Sequence, residues 1–147
     1  MLLQNFIAEL LDDWKNSRPE VSIKTSWQGE APGPEIIAER SLRQAIKNIL
    51  DNAANVSPEY VSCEAILESQ ALTLLVSDHG PGIHLDDSEI IGQQPLTSGD
   101  KVKGLGLGLF LSHGIIKRFG GKVSLKNRSE GGLQTTISLP LQALSIS

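Results

Sequence analysis

The chain has 147 residues, 39% of them hydrophobic and 20% charged, with a net charge of −4. That balance fits one globular domain with its own core and excludes intrinsic disorder, while the acidic excess argues against a nucleic-acid binder, whose phosphate contacts call for clustered Lys and Arg. Cys63 is the single cysteine, so neither an intrachain disulfide nor a cysteine zinc site can form, and His79, His84 and His113 lack the His-Glu-x-x-His spacing of a catalytic zinc helix.

Leu2, Leu3, Phe6, Ile7, Leu10, Leu11 and Trp14 recur at helical spacing and predict an amphipathic helix over 2–15. Acids among its polar positions do not suit a signal peptide, and no apolar run reaches the ~18 residues of a membrane span, so a soluble chain is expected. Pro19 closes the segment, and Val21 to Trp27 alternates apolar and polar as a half-buried strand does. After a turn-rich connector from Gln28, Pro34 suits a first helical turn, and a second helix is predicted to about Asn55, with Ile36, Ile37, Leu42, Ala45, Ile46, Ile49, Leu50 and Ala53 apolar. Ser57-Pro58 ends it.

Tyr60 to Glu68 and Ala71 to Asp78 read as an antiparallel strand pair. His79 to Lys103, rich in Gly, Pro, Ser and Asp, reads as a long surface loop, and loops of that length are functional or disordered. Leu107 to Phe119 is a predicted helix with Leu109, Phe110, Leu111, Ile115 and Ile116 on its core side and Gly120-Gly121 as its stop. Lys122 to Asn127 and Leu133 to Leu139, joined through Gly131-Gly132, predict a closing hairpin, and the last residues read as a frayed tail. Helices that alternate with strand pairs favour an α/β two-layer sandwich: a mixed, largely antiparallel sheet with helices on one face.

Three segments carry chemistry. On the second helix Gln44, Asn48, Asn52 and Asn55 form a polar line, an unusual use of asparagine inside a helix unless a ligand or plain solvation accounts for it. An Asn side-chain oxygen suits Mg²⁺, which takes one or two protein oxygens and completes its shell with water and phosphates. Val76 to Ile83 leaves a strand as Asp78-His79-Gly80-Pro81-Gly82, which is either a capped turn or a purine site. There Asp78 would accept from an exocyclic amine, as in adenine, and repel the carbonyl that guanine presents. Lys101-Val102-Lys103-Gly104-Leu105-Gly106-Leu107-Gly108 opens the third helix, where glycines serve either tight packing or a phosphate cradle at the positive helix end, with Lys101 adding charge. The segment is neither a P-loop nor a Gly-x-Gly-x-x-Gly dinucleotide turn.

Taken in order, Asn-x-x-x-Asn-Ala, Asp-x-Gly-x-Gly and Gly-x-Gly-x-Gly resemble the N, G1 and G2 boxes of the GHKL ATPases over about residues 35–141. Asn48 to Ala53, Gly104 to Leu109, Gly120-Gly121 and Ser138 to Leu141 are similar to sensor histidine kinases in particular, and Asn52 to Pro58 with Leu107 to Ser112 to the redox-responsive RegB/PrrB-type kinases. The resemblance implies the Bergerat fold, ATP and Mg²⁺ as cofactors, and phosphoryl transfer to a histidine. Asn52 would bind Mg²⁺ and Asn48 lie near the triphosphate, the two forming the catalytic pair. Asp78 would take the adenine amino group in a pocket shaped by Gly80 and Gly82 and bordered by Ile83, and Gly104, Leu105, Gly106, Leu107 and Gly108 would hold phosphates at the hinge of a lid reaching Lys103. Asn55 stands where many such kinases have a phosphate-contacting Lys, Val56 where many have an aromatic that stacks on adenine, Leu133 in place of a common Thr and Leu96 in place of a Phe.

None of the three histidines has the His-Glu/Asp-x-x-x-Pro setting of a phosphoacceptor. The resemblance therefore implies a catalytic domain over 19–147, a linker helix over 1–18 leading from a separate dimerisation and phosphoacceptor domain, a response regulator as partner of the full protein, a monomeric isolated domain, and a cytoplasmic position in a membrane-anchored bacterial sensor. A GHKL serine kinase or chaperone-like ATPase, and a non-catalytic binding module of the same descent, are the alternatives.

Overall fold

The computed structural model describes residues 1–30, 33–68, 70–80 and 106–144, with 106–110 described by backbone alone. Among the described residues three helices, α1 (Leu3–Ser17), α2 (Arg40–Val56) and α3 (Gly106–Arg118), accompany five strands, β1 (Ile23–Gln28), β2 (Val61–Glu68), β3 (Ala71–Asp78), β4 (Lys122–Asn127) and β5 (Leu133–Pro140). The strands form one sheet in the order β1-β2-β3-β5-β4. The β1–β2 pair is parallel, and the β2–β3, β3–β5 and β4–β5 pairs are antiparallel.

Period-two alternation decides which sheet face meets the helices. Val61, Cys63 and Ala65 of β2, Leu72, Leu74 and Val76 of β3, and Ile137 and Leu139 of β5 are buried in one core with Leu3, Phe6, Leu10 and Trp14 of α1 and Leu42, Ile46, Ile49 and Leu50 of α2. The opposite face carries Ser62, Glu64, Thr73 and Thr136, none of them buried. The sandwich is therefore two layers, as predicted, with α1 as much a part of the core as α2. Cys63 lies in this core, where burial pushes its thiol up to about 12.

Helix α2 begins at Arg40 and not at Pro34, because the backbone of 34–39 is engaged elsewhere. The Pro34 carbonyl accepts from Leu3 N at 2.8 Å, Ile36 N donates to Met1 O at 2.7 Å, and Ile37 N donates to Leu144 O at 2.9 Å. This extended strap satisfies an amide at the start of α1, which has no side-chain cap, and buries Ile36 while leaving Ile37 exposed. The same bonds overturn the frayed tail as far as Leu144: a short 3₁₀ turn over Leu141–Ala143 delivers that residue into the core. Helix α3 turns Ile115 and Ile116 to the core as predicted, but Leu111 is exposed and Ser112 is buried in that face instead. It ends on Gly120 at φ +80°, where Gly120 N donates to Lys117 O and Gly121 N to Ile116 O, the two bonds of a Schellman stop.

A polar clasp joins α1 to the end of α2. The buried Trp14 indole donates from Nε1 to Asp51 Oδ1 at 2.9 Å, and Arg18 reaches the same oxygen from Nη1 at 3.0 Å, Asn55 Oδ1 from Nη2 at 3.2 Å and Glu20 from Nε at 2.9 Å. Asp51→Ala leaves the buried indole without its acceptor and is expected to lower stability by about 1–3 kcal/mol in chemical denaturation. Asp51→Asn, which keeps an oxygen for the indole, should recover much of that loss; equal losses in both variants would show that the indole contact does not matter.

Candidate functional site

Asp78 is the last residue of β3 and continues the inward row of Leu72, Leu74 and Val76, which makes it a carboxyl group only 3% exposed at the edge of an apolar core. The β3–β5 ladder runs to the Ser77–Gln134 pair. Where an Asp78–Leu133 pair would follow, Leu133 N donates instead to the Asp78 side chain, to Oδ1 at 3.1 Å, and Gly80 N donates to the same oxygen at 2.8 Å. Two backbone amides thus fix one carboxylate oxygen and leave the second outside that clamp.

The main chain of Asp78 is held as firmly. Its carbonyl accepts from Arg128 Nη1 at 2.7 Å, and the next amide, His79 N, donates to Ser57 Oγ at 3.0 Å while that hydroxyl donates to Tyr60 O at 2.7 Å. Gly132 has φ +93°, and a Cβ on it would lie 1.9 Å from Asp78 O. Only glycine lets the β4–β5 turn approach Asp78 this closely. The His79 ring stacks on Tyr60 with centroids 3.8 Å apart and planes inclined by 8°.

The turn after Asp78 rests on the end of α2, since a Cβ on Gly80 would meet Val56 Cγ2 at 2.7 Å. Asn52 lies one helical turn before Val56 on the same side of α2. Its amide nitrogen Nδ2 is buried with no hydrogen-bond partner among the described residues. Asn48 Oδ1 accepts from Gln44 Nε2 at 3.0 Å, further back along the helix. Asn55 turns to α1 and Arg18, so the four-residue polar line divides between two neighbours.

Gly82, Ile83, Lys101, Gly104 and Leu105, together with His84 and Leu96, lie outside the described residues. Gly106, Leu107 and Gly108 form the first turn of α3. His113, half-buried on the same helix, has its pKa lowered by burial and by the charge of Lys117. Among the described residues no group of three or more His, Cys, Asp or Glu could hold a metal, and no helix is long and apolar enough to cross a membrane. Sequence reasoning missed Arg128, Ser57, Tyr60 and Gly132. Of these only the Gly131-Gly132 pair carries a local signal, a turn needing positive φ; the others act through partners distant along the chain.

Residues 37–143 match the sequence family of histidine kinase-, DNA gyrase B- and HSP90-like ATPases. The chain belongs to that family. It is similar to the sensor protein kinase CarS of Pseudomonas aeruginosa, with 31% identity over 121 residues that cover 82% of this chain and 27% of CarS. The chain thus spans about a quarter of the length of that relative. In fold it is similar to the mycobacterial sensor histidine kinase MprB, at TM-score 0.76 and 22% identity over 95% of this chain and 96% of that one. It is also similar to full-length ShkA in complex with AMPPNP, at TM-score 0.75 and 21% identity over 100% of this chain and 31% of that one.

Gly132→Ala is expected to cost about 2 kcal/mol or more, because it adds a collision with Asp78 to the strain of positive φ. Gly131 has φ +100°, and a Cβ on it would find nothing within 4 Å, so Gly131→Ala should show the conformational cost alone, about 1 kcal/mol. Thermal denaturation of the two variants checks the difference, and equal losses would refute the close approach at Gly132.

Proposed function

We propose that the chain is the ATP-binding catalytic domain of a two-component sensor histidine kinase, which positions Mg²⁺-ATP for transfer of its γ-phosphoryl group to a histidine on a separate helical domain. The observation that carries this reading is a buried carboxylate at the end of β3, followed by a turn at Gly80 that rests on Val56, one helical turn beyond an Asn52 whose buried Nδ2 has no partner among the described residues. Trp27 Nε1 and Ser112 Oγ are likewise without a partner among the described residues, but of the three only Asn52 lies within one helical turn of the Val56–Gly80 contact, where a polar ligand would satisfy it.

The residues fit a magnesium nucleotide. Asp78 receives the adenine amino group on the oxygen that Leu133 and Gly80 leave outside their clamp, and a guanine carbonyl in the same place would face an acceptor. Asn52 provides an amide oxygen of the hard kind that Mg²⁺ accepts and an N–H pair for phosphate oxygens; Asn48 supports it from the preceding turn. The bound nucleotide supplies the phosphoryl group, with the metal neutralising part of its charge. What the chain contributes is orientation and a fixed set of dipoles, the principal levers in phosphoryl transfer. The first turn of α3 at Gly106 to Gly108 offers backbone N–H groups of the kind that hold phosphates at a helix start.

The acceptor histidine lies outside this domain in the proposal. His79, though exposed, stacks its ring on Tyr60 and has its amide on Ser57, and His113 is half-buried on α3. A dimerising phosphoacceptor domain preceding α1, a response regulator downstream, and a cytoplasmic setting complete the reading.

Calorimetry and radiolabelled ATP test it together. Mg²⁺-ATP should bind the wild-type chain, Asp78→Asn should weaken that binding at least about tenfold, Asn52→Ala should remove its Mg²⁺ dependence, and no histidine of the chain should become labelled. Unchanged ATP binding in both variants would overturn the site. Steady hydrolysis without transfer, or label on a partner's serine, would favour an ATPase or serine kinase of the same family.

A further inference from the structure

Arg128 belongs to the turn between β4 and β5, far along the chain from the nucleotide motifs, yet its side chain is only 15% exposed and is committed to Asp78. The turn is itself closed, with Arg128 N donating to Gly132 O at 2.9 Å and Gly131 N to Arg128 O at 3.1 Å, so the start of the side chain is fixed. Its guanidinium donates from Nη1 to Asp78 O at 2.7 Å and from Nη2 to Glu130 at 3.1 Å, and its carbon lies 5.6 Å from the centroid of the Tyr60 ring, which also stacks with His79. At this point the β3–β5 ladder has ended, although Val61 still pairs with Asp78 on the β2 side, and the carbonyl of Asp78 has no partner in the β3–β5 ladder. The arginine fills that role with a charge-assisted bond.

We propose that Arg128 is a positioning residue for purine selectivity: by anchoring the Asp78 main chain where the β3–β5 ladder opens, it fixes which way the carboxylate faces. The inference rests on the adenine reading of Asp78. Two bonds to Oδ1 hold the side chain to Leu133, at the start of β5, and to Gly80, in the turn that follows β3, while the Asp78–His79 peptide is held through its N–H by Ser57 Oγ and through its carbonyl by Arg128; without Arg128 that peptide keeps one anchor only and can pivot about it, carrying the carboxylate with it. A tilt of that kind weakens an adenine contact and lessens the penalty against guanine, whereas general loosening of the fold would lower the binding of both nucleotides alike. Tyr60 and Glu130 set the guanidinium plane, and a lysine could keep the bond to the carbonyl but not both bonds at once.

The test measures binding of ATP and of GTP, each with Mg²⁺, to wild type, Arg128→Ala, Arg128→Lys and Asp78→Asn, with thermal midpoints recorded for all. Arg128→Ala is expected to reduce ATP affinity about tenfold and to shrink the ATP-to-GTP affinity ratio, with Arg128→Lys between it and wild type. A wild-type ratio in Arg128→Ala, including one accompanied by equal weakening for both nucleotides, overturns the proposal. Should Arg128→Ala fail to fold, Arg128→Lys decides: a reduced ratio supports the positioning role and a wild-type ratio overturns it. Asp78→Asn separates the two levels, because an unchanged ratio there brings down the adenine reading itself, whereas a collapsed ratio there with an intact one in Arg128→Ala brings down only the role of Arg128.

Discussion

A carboxylate enclosed at the edge of an apolar core is unfavourable unless its acceptor sites are filled, and in this chain the filling is done by the backbone. Leu133 and Gly80 donate to a single oxygen of Asp78. That choice ends the β3–β5 ladder one residue early, brings the β4–β5 turn against the strand, and makes Arg128 and Gly132 neighbours of a residue distant from them along the chain. The geometry of the site follows from how this one side chain is accommodated.

The second constraint is the seating of α2. Its inner face of Leu42, Ile46, Ile49 and Leu50 packs into the core, its start is set by the strap through Ile36, and its end is tied to α1 by Trp14, Arg18 and Asp51. A helix fixed at both ends holds Asn52 one turn before the Val56 that Gly80 approaches. Helix α1 therefore supports the site from a distance through Asp51 and Asn55, a contribution made by packing and hydrogen bonds without any contact of its own with Asp78 among the bonds described.

Much of the fold was legible because period carries burial. The alternation in Val61 to Ala65 and Leu72 to Val76, and the helical spacing of Leu3 to Trp14, each mark a face that has to be covered, and the glycines at 120 and 132 mark chain reversals. The failures share a cause. Pro34 to Glu39 has the composition of a helix start, but its amides and carbonyls are claimed by Met1, Leu3 and Leu144, contacts that no local pattern announces. Leu111, predicted on the core side of α3, is exposed because the run of apolar residues that opens this helix, interrupted by glycine, does not mark one face. Within the site, Asp78, Gly80 and Asn52 could be singled out by residue type and spacing, whereas Arg128 and Ser57 owe their roles to partners brought near only by the folded sheet.

The central claim is that the Asp78 clamp and the Asn52 amide face one ligand. Nuclear magnetic resonance on the chain titrated with Mg²⁺-ATP tests it most directly, by following the backbone amides of Gly80 and Leu133 and the side-chain amide of Asn52. All three are expected to shift together, with one dissociation constant; shifts at the clamp without any at Asn52, or shifts confined to the open face of the sheet around Glu64 and Thr136, would contradict it.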